Sequence, residues 1–311
     1  MENAAAPPMR ARVRPLRLIA LLTTLALVAY LAIGAVVAGA LTVPRRVPLT
    51  GDPTVALGLP FEEARFSARG EAVELTGWFI PAPPGAAPPR AVILVHGKDG
   101  CRTCGFDGTM LQLAGDLQRS GLSILLIDLR GHGGSGEGRF TFGLRERHDI
   151  QGAVDWLLAR GFAPGRIGLL GESMGAASAI GAAADEPAIG ALVADSSYAE
   201  LLPVLQQEFP KASGLPAALL PGAVLMGRLF VGEDIGASRP VDEIGRIAPR
   251  PVLIIHAAGD DVIGVDHAAR LGVAAGVTPW VIDGDSHTDT YTALPDAYAE
   301  RAARFFAEAL R

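Results

Sequence analysis

Gly171-Glu172-Ser173-Met174-Gly175 is the stretch whose reading decides the fold. Ahead of it, Arg166-Ile167-Gly168-Leu169-Leu170 reads as a short buried strand; behind it, Ala176 to Asp185 is an alanine-rich run that reads as a helix. A serine between two glycines at a strand-to-helix junction is the nucleophile-elbow arrangement. The turn is so tight that side chains two positions to either side of the serine would collide, and glycine removes them. The hydroxyl is then held clear of the sheet, at the N-terminus of a helix whose amides and dipole favour developing negative charge. In a chain with 38 glycines a match to so short a pattern can arise by chance. The rest of the sequence must therefore supply a base, an acid and an oxyanion hole.

On both sides of the motif the chain alternates strand and helix. Ala91-Val92-Ile93-Leu94-Val95 is wholly apolar, as expected of a central strand buried on both faces, and Leu122 to Ile127 reads as another. Glu63 to Ala68 and Ala72 to Ile80 precede them as strands, followed by Pro81 to Pro89, a rigid loop with five prolines. Phe106 to Ser120 and Asp149 to Arg160 read as helices. Beyond the motif come strands at Ile189 to Ala194, Val252 to His256 and Pro279 to Ile282, with helices from about Val265 to Ala275 and Leu294 to Leu310. Between Tyr198 and Pro240 the alternation stops. This insert is apolar and punctuated by Pro203, Pro210, Pro216 and Pro221, and we read 198–240 as a small helical cap that suits either an apolar substrate portion or simple packing on the core.

Strand–helix units with right-handed crossovers build a mostly parallel sheet, here of eight strands, whose ligands sit at the C-terminal strand ends. Ser173, Asp260, His287 and Lys98 all follow strands and are expected at that one edge. In His96-Gly97-Lys98-Asp99-Gly100 the glycine lets backbone amides approach a ligand, so the Lys98 amide paired with that of Met174 is the candidate oxyanion hole. His96 reads as a structural hydrogen bonder. Asp128 to Gly136 is a glycine-rich loop whose spacing fits neither a P-loop nor a dinucleotide fingerprint.

The chain has 311 residues, half of them hydrophobic, enough for one large domain and an attachment. A net charge of −6 argues against nucleic acid as a partner. Arg10, Arg12, Arg14 and Arg17 lead into Leu18 to Val43, 26 residues without a charge, which end at Pro44-Arg45-Arg46. As a helix that run would span roughly 39 Å, more than the ~30 Å of a hydrocarbon core. The segments are thus a basic cytoplasmic tail (1–17), a transmembrane signal anchor (18–43), a linker (44–60) and a catalytic domain (61–311). The arginine bias places that domain outside the cytoplasm. Ala38-Gly39-Ala40 has the small residues of a cleavage site, so secretion after cleavage is the alternative. For an exported domain, Cys101 and Cys104 are expected to form a local disulfide; a redox or zinc role lacks the matching context.

Taken together, His96-Gly97, Asp128-x-Arg130-Gly131-His132-Gly133-x-Ser135, the motif at Ser173, the His256-to-Asp260 spacing and Gly284-x-x-His287-x-Asp289 resemble the alpha/beta-hydrolase superfamily over about residues 60–311. The similarity is greatest to its membrane-anchored or secreted branch with a serine aminopeptidase-like domain. Gly264 stands where that branch often has proline, and Ala257 where glycine is common. The resemblance implies Ser173 as nucleophile, His287 as general base and then acid, and Asp260 as the orienter of the imidazole, with Asp261 and Asp195 as rivals. His132, His148 and His267 are left as surface or structural groups. It further implies a small acyl substrate and no metal or cofactor. Ester or thioester hydrolysis leads; a peptidase or amidase of the same fold, and a tethered binding protein that has lost catalysis, are the alternatives.

Overall fold

The computed structural model describes residues 10–86 and 88–311; of the expected basic tail, residues 1–9 lie outside the described residues. The chain opens with α1 (Arg10–Thr42), α2 (Pro53–Leu57), β1 (Glu62–Ser67), β2 (Glu74–Ile80) and β3 (Ala91–Val95). The turn α3 (Gly105–Gly108), α4 (Met110–Arg119), β4 (Ser123–Ile127), α5 (Glu146–Ala159), β5 (Ile167–Glu172), α6 (Met174–Asp185) and β6 (Ile189–Asp195) follow. The cap holds α7 (Leu201–Ser213) and α8 (Leu220–Val231). After α9 (Pro240–Glu243) come β7 (Val252–Ala257), α10 (Val265–Ala275), β8 (Trp280–Ile282), α11 (Thr290–Ala293) and α12 (Pro295–Ala309).

The strands form one sheet in the order β1-β2-β4-β3-β5-β6-β7-β8. Only the β1–β2 and β2–β4 pairs are antiparallel; from β4 to β8 every pairing is parallel. The uninterrupted apolar strands follow from this. In β3, Ala91, Ile93 and Val95 pack on the face covered by α5 and α6, while Val92 and Leu94 pack on the face covered by α4 and α12. Each such buried aliphatic side chain contributes on the order of 1.5–3 kcal/mol. Register aligns the strand ends: Val95 lies opposite both Ile127 and Gly171, Glu172 opposite Asp195, and Ala257 opposite Ile282. The loops after β3, β5, β7 and β8 therefore leave from one edge.

Three segments differ from the sequence reading. The helix expected from Phe106 to Ser120 is broken, because Phe106 and Asp107 adopt left-handed φ values of 50° and 54°. Phe106 is fully buried, and its amide donates to Glu172 Oε2 (2.8 Å) instead of continuing a helix. The stretch read as a linker contains α2, capped by Asp52, whose Oδ1 accepts from the Thr54 and Val55 amides (2.8 and 2.9 Å). Leu49, Leu57, Leu59 and Phe61 around it pack on the core.

The third is α1, which does more than approach the domain. Pro15–Thr42 is long and apolar enough to cross a membrane, and Leu16 to Val28 project into the open. The C-terminal part docks on the cap. A Cβ on Gly34 would lie 2.7 Å from the Gly222 carbonyl carbon, so only glycine permits this approach of α1 to α8. The Tyr30 hydroxyl accepts from the Gly222 amide (2.9 Å) and donates to the Ala218 carbonyl (3.2 Å), and Val37 and Ala38 are buried. At the end of the helix, the Phe140 amide donates to the Thr42 carbonyl (3.2 Å).

Candidate active site

Ser173 sits between β5 and α6 with φ 52° and ψ −121°, a conformation costly for any residue with a Cβ. The crowding inferred from sequence is present. A Cβ on Gly171 would fall 2.5 Å from the Gly175 carbonyl oxygen, and one on Gly175 would fall 2.4 Å from that of His96. The Ser173 amide donates to the Asp195 carbonyl (2.9 Å), pinning the elbow to β6.

The loop after β8 brings His287 to this serine. Its Nε2 lies 2.8 Å from Ser173 Oγ, and its Nδ1 lies 2.7 Å from Asp260 Oδ2. Asp260 is fixed in turn: Oδ1 accepts from the Val262 and Ile263 amides (3.0 and 2.8 Å), and His256 Nε2 donates to the Ile263 carbonyl (2.7 Å), holding that turn closed. Burial opposes charge on His287, but the hydrogen bond and charge of Asp260 outweigh it, helped by Glu172 and Asp195, so its pKa stands above 6.5. Burial likewise opposes ionisation of Asp260, and His287 together with the two amides outweighs it, so this carboxyl titrates below its ordinary value.

Of the rival carboxylates, Asp261 is exposed. Asp195 is fully buried and occupied by Ser196 Oγ, Thr290 Oγ1 and Tyr298 OH at 2.7 to 2.9 Å. His96 accepts the Leu129 amide at Nε2 (3.1 Å) and donates from Nδ1 to the Gly97 carbonyl (2.7 Å), which requires the neutral ring. Burial holds its pKa down near 4. His132 donates to the Arg130 carbonyl, His267 accepts the Ala199 amide, and His148 pairs with Glu71. Each of the four rings is thus engaged by a group of the surrounding fold.

The sequence and the fold are similar to those of known proteins. A family model described as X-Pro dipeptidyl-peptidase (S15 family) matches residues 62–208. The uncharacterized protein Rv2307c of Mycobacterium tuberculosis is 33% identical over 225 residues, 70% of each chain. YfhR of Escherichia coli K12 is 27% identical over 256 residues, 80% of this chain and 81% of its own. The fold of the Pyrococcus furiosus esterase Pf2001 superposes with a TM-score of 0.70 at 24% identity, covering 86% of this chain and 99% of that one. The chain belongs to the alpha/beta-hydrolase superfamily.

The hydrolase keeps Lys98 and Met174 beside Ser173, lining the same cavity. Behind them lies a residue the sequence reading passed over. Glu172 is buried, and its carboxylate accepts the Gly97 amide at Oε1 (3.1 Å) and the Phe106 amide at Oε2 (2.8 Å). It thereby ties the Lys98 turn and the Cys101–Cys104 loop to the elbow. Burial, reinforced by the charge of Asp195 and opposed by the two amides, raises its pKa to about 7. Cys101 and Cys104 are joined as a disulfide. Between them, Arg102 runs inward to a salt bridge with Asp128 (2.7 Å) and stacks on Trp78. Asp128 also accepts the Gly134 amide (2.8 Å), so the glycine-rich loop is filled from within. Asp289, quoted from sequence in the His287 motif without a role, has one here: its Oδ2 accepts the Asp285 and Ser286 amides (2.8 and 3.1 Å), shaping the turn that carries His287.

The cavity over Ser173 holds about 220 Å³. Phe142, Leu201, Val204, Leu205 and Phe209 make most of its wall, and Leu41 of α1 completes it. Its polar groups are engaged elsewhere: Glu208 pairs with Lys211 (2.7 Å), Lys98 with Asp99 (2.6 Å), and the Tyr198 hydroxyl donates to the Phe142 carbonyl (2.7 Å).

Proposed function

We propose that this hydrolase cleaves carboxylic ester or thioester bonds through an acyl-enzyme on Ser173. The observation that carries the reading is the continuous relay from Ser173 Oγ through His287 to Asp260, with contacts of 2.8 and 2.7 Å. His287 takes the Ser173 proton as Oγ forms a bond to the acyl carbon. The carbonyl oxygen becomes an oxyanion held by the Lys98 and Met174 amides. On collapse the acyl–oxygen or acyl–sulfur bond breaks, and the leaving group departs with the proton from His287. Water, deprotonated by the same ring, then attacks the acyl-enzyme and releases the acid. Asp260 orients the ring and stabilises its charged form.

Ester cleavage is favoured by the apolar cavity, whose charged groups Glu208 and Lys98 already pair with Lys211 and Asp99. The peptidase reading has one observation in its favour, the dipeptidyl-peptidase family match over 62–208, and a panel of ester and X-Pro amide substrates separates the two. For location, we propose that α1 anchors the protein with its catalytic domain outside the cytoplasm. The four arginines ahead of the uncharged run 18–43 against two after it, and the Cys101–Cys104 disulfide, support this.

The test is labelling of the full-length protein in detergent with a fluorophosphonate, followed by peptide mapping. Modification at Ser173 alone is expected. A folded sample that is unmodified there, or is modified at another serine, overturns the assignment.

A further inference from the structure

We infer that the substrate is a long-chain acyl ester of a membrane amphiphile, and that its chain reaches Ser173 along a groove between α1 and α7. The inference deepens the reading of Ser173 as nucleophile and rests on it. A second cavity, of about 420 Å³, adjoins the one over the serine. Leu41, Lys98, Phe209 and Ala212 line both, so the two are successive parts of one path. The outer part is floored by Val36, Val37 and Ala40 of α1, and it ends at Arg45 and Asp99, whose backbone amide and carboxylate are hydrogen-bonded (2.9 Å). The outer wall of a candidate acyl path is thus built from the membrane helix itself.

Depth supports the same source for the chain. If Arg17 marks the cytoplasmic boundary, about 20 residues of helix cross the ~30 Å hydrocarbon core and end near Val37. Val36 and Val37 then lie where hydrocarbon gives way to headgroups, and Leu41, Arg45 and Ser173 lie beyond. A chain rising beside α1 would run along Val36, Val37, Ala40, Leu41 and Phe209, past the paired Lys98 and Asp99, until its ester meets the serine. The neighbouring α8 crosses this boundary, since its Gly222 meets Gly34 and its Gly227 lies near Ala38, and it leaves Leu225, Leu229 and Phe230 exposed. Lipid covers such side chains at a membrane boundary. A water-soluble short-chain ester would use only the inner cavity and would have no need of the outer one.

The test uses the full-length protein in vesicles of phosphatidylethanolamine and phosphatidylglycerol, with butyryl and palmitoyl esters of one fluorogenic alcohol. Ala40→Trp places an indole in the outer groove. It should lower the palmitoyl-to-butyryl ratio of kcat/KM by about tenfold or more, the effect of withdrawing about two methylenes from burial. A ratio unchanged within about twofold overturns the inference. Because the variant could fold poorly, the unaltered protein is also cross-linked to a palmitoyl lysophospholipid bearing a diazirine at mid-chain. Adducts on 36–45 and 209–215 support the groove, and adducts confined to other segments overturn it. The two readings fail separately: full butyryl turnover by Ser173→Ala removes the nucleophile, whereas the adduct map decides the groove without any turnover.

Discussion

Replacing Glu172 with glutamine isolates the cost of the buried carboxylate under the elbow. Its pKa stands at about 7 in the folded protein against 4.5 for the free side chain. A group raised in this way adds stability that is fully present below pH 4.5 and is lost as pH rises through 7. At about 1.4 kcal/mol per pH unit, the loss is on the order of 3 kcal/mol. Glutamine does not titrate, so the stability of wild type relative to Glu172→Gln should fall by that amount between about pH 4.5 and 8. In a domain of this size, that is a change of about 6–12 °C in the difference between the two melting temperatures. A pH-independent offset opposes it: the amide group of glutamine must face either the Gly97 or the Phe106 amide, donor against donor, at a cost of about 1–3 kcal/mol. The variant should therefore be the weaker protein near pH 5 and approach or pass wild type near pH 8. Thermal unfolding of both full-length proteins in one detergent, followed by tryptophan fluorescence from pH 5 to 8, measures this. Melting temperatures that run parallel across the range refute the reasoning.

At the relay, Asp260→Asn should lower kcat by about 10⁴, because the ring loses the acceptor that sets its tautomer, while Asp261→Asn should change it by less than about threefold; the opposite ranking transfers the role. Since His287 must be neutral to accept a proton and its pKa is raised, the acid limb of kcat/KM should have its midpoint above pH 6.5. A rate that holds level down to about pH 5.5 contradicts a histidine base. A reporter active only outside the cytoplasm, fused after Arg311, should be active; its silence refutes the proposed sidedness.

The sheet and the residues at its edge were legible because their signals are local. Gly171-x-Ser173-x-Gly175 reports its own crowding, and apolar runs such as Ala91–Val95 report burial on two faces. The order of Ser173, Asp260 and His287 along the chain could be read without coordinates, and the structure sets the three side chains in contact. What stayed hidden depends on partners far away in sequence. Glu172 looks like a free position within its motif, and its acceptor role exists only through Gly97 and Phe106, which lie 75 and 66 residues back. The break at Phe106 has the same origin. Docking of α1 was hidden for a different reason: a helix apolar on every side gives no sign of which face meets protein. The close crossing shows only in the structure, where Gly34 meets Gly222.

Under the proposed anchorage, that crossing bears on how the domain could be released. Ala38-Gly39-Ala40 carries the small residues a processing peptidase favours, and such enzymes act on extended backbone. Here the segment is helical, Ala38 is buried, and its carbonyl accepts from Thr42 Oγ1 (2.8 Å). Cutting the finished protein would first require undocking the end of α1 and withdrawing Leu41 from the cavity, a local unfolding event. For a domain exported as proposed, anchorage and release would be settled by timing, according to whether the peptidase or the folding cap reaches Ala38 first. A molecule cut after Ala40 would also begin at Leu41, with a new ammonium group at the rim of an apolar chamber.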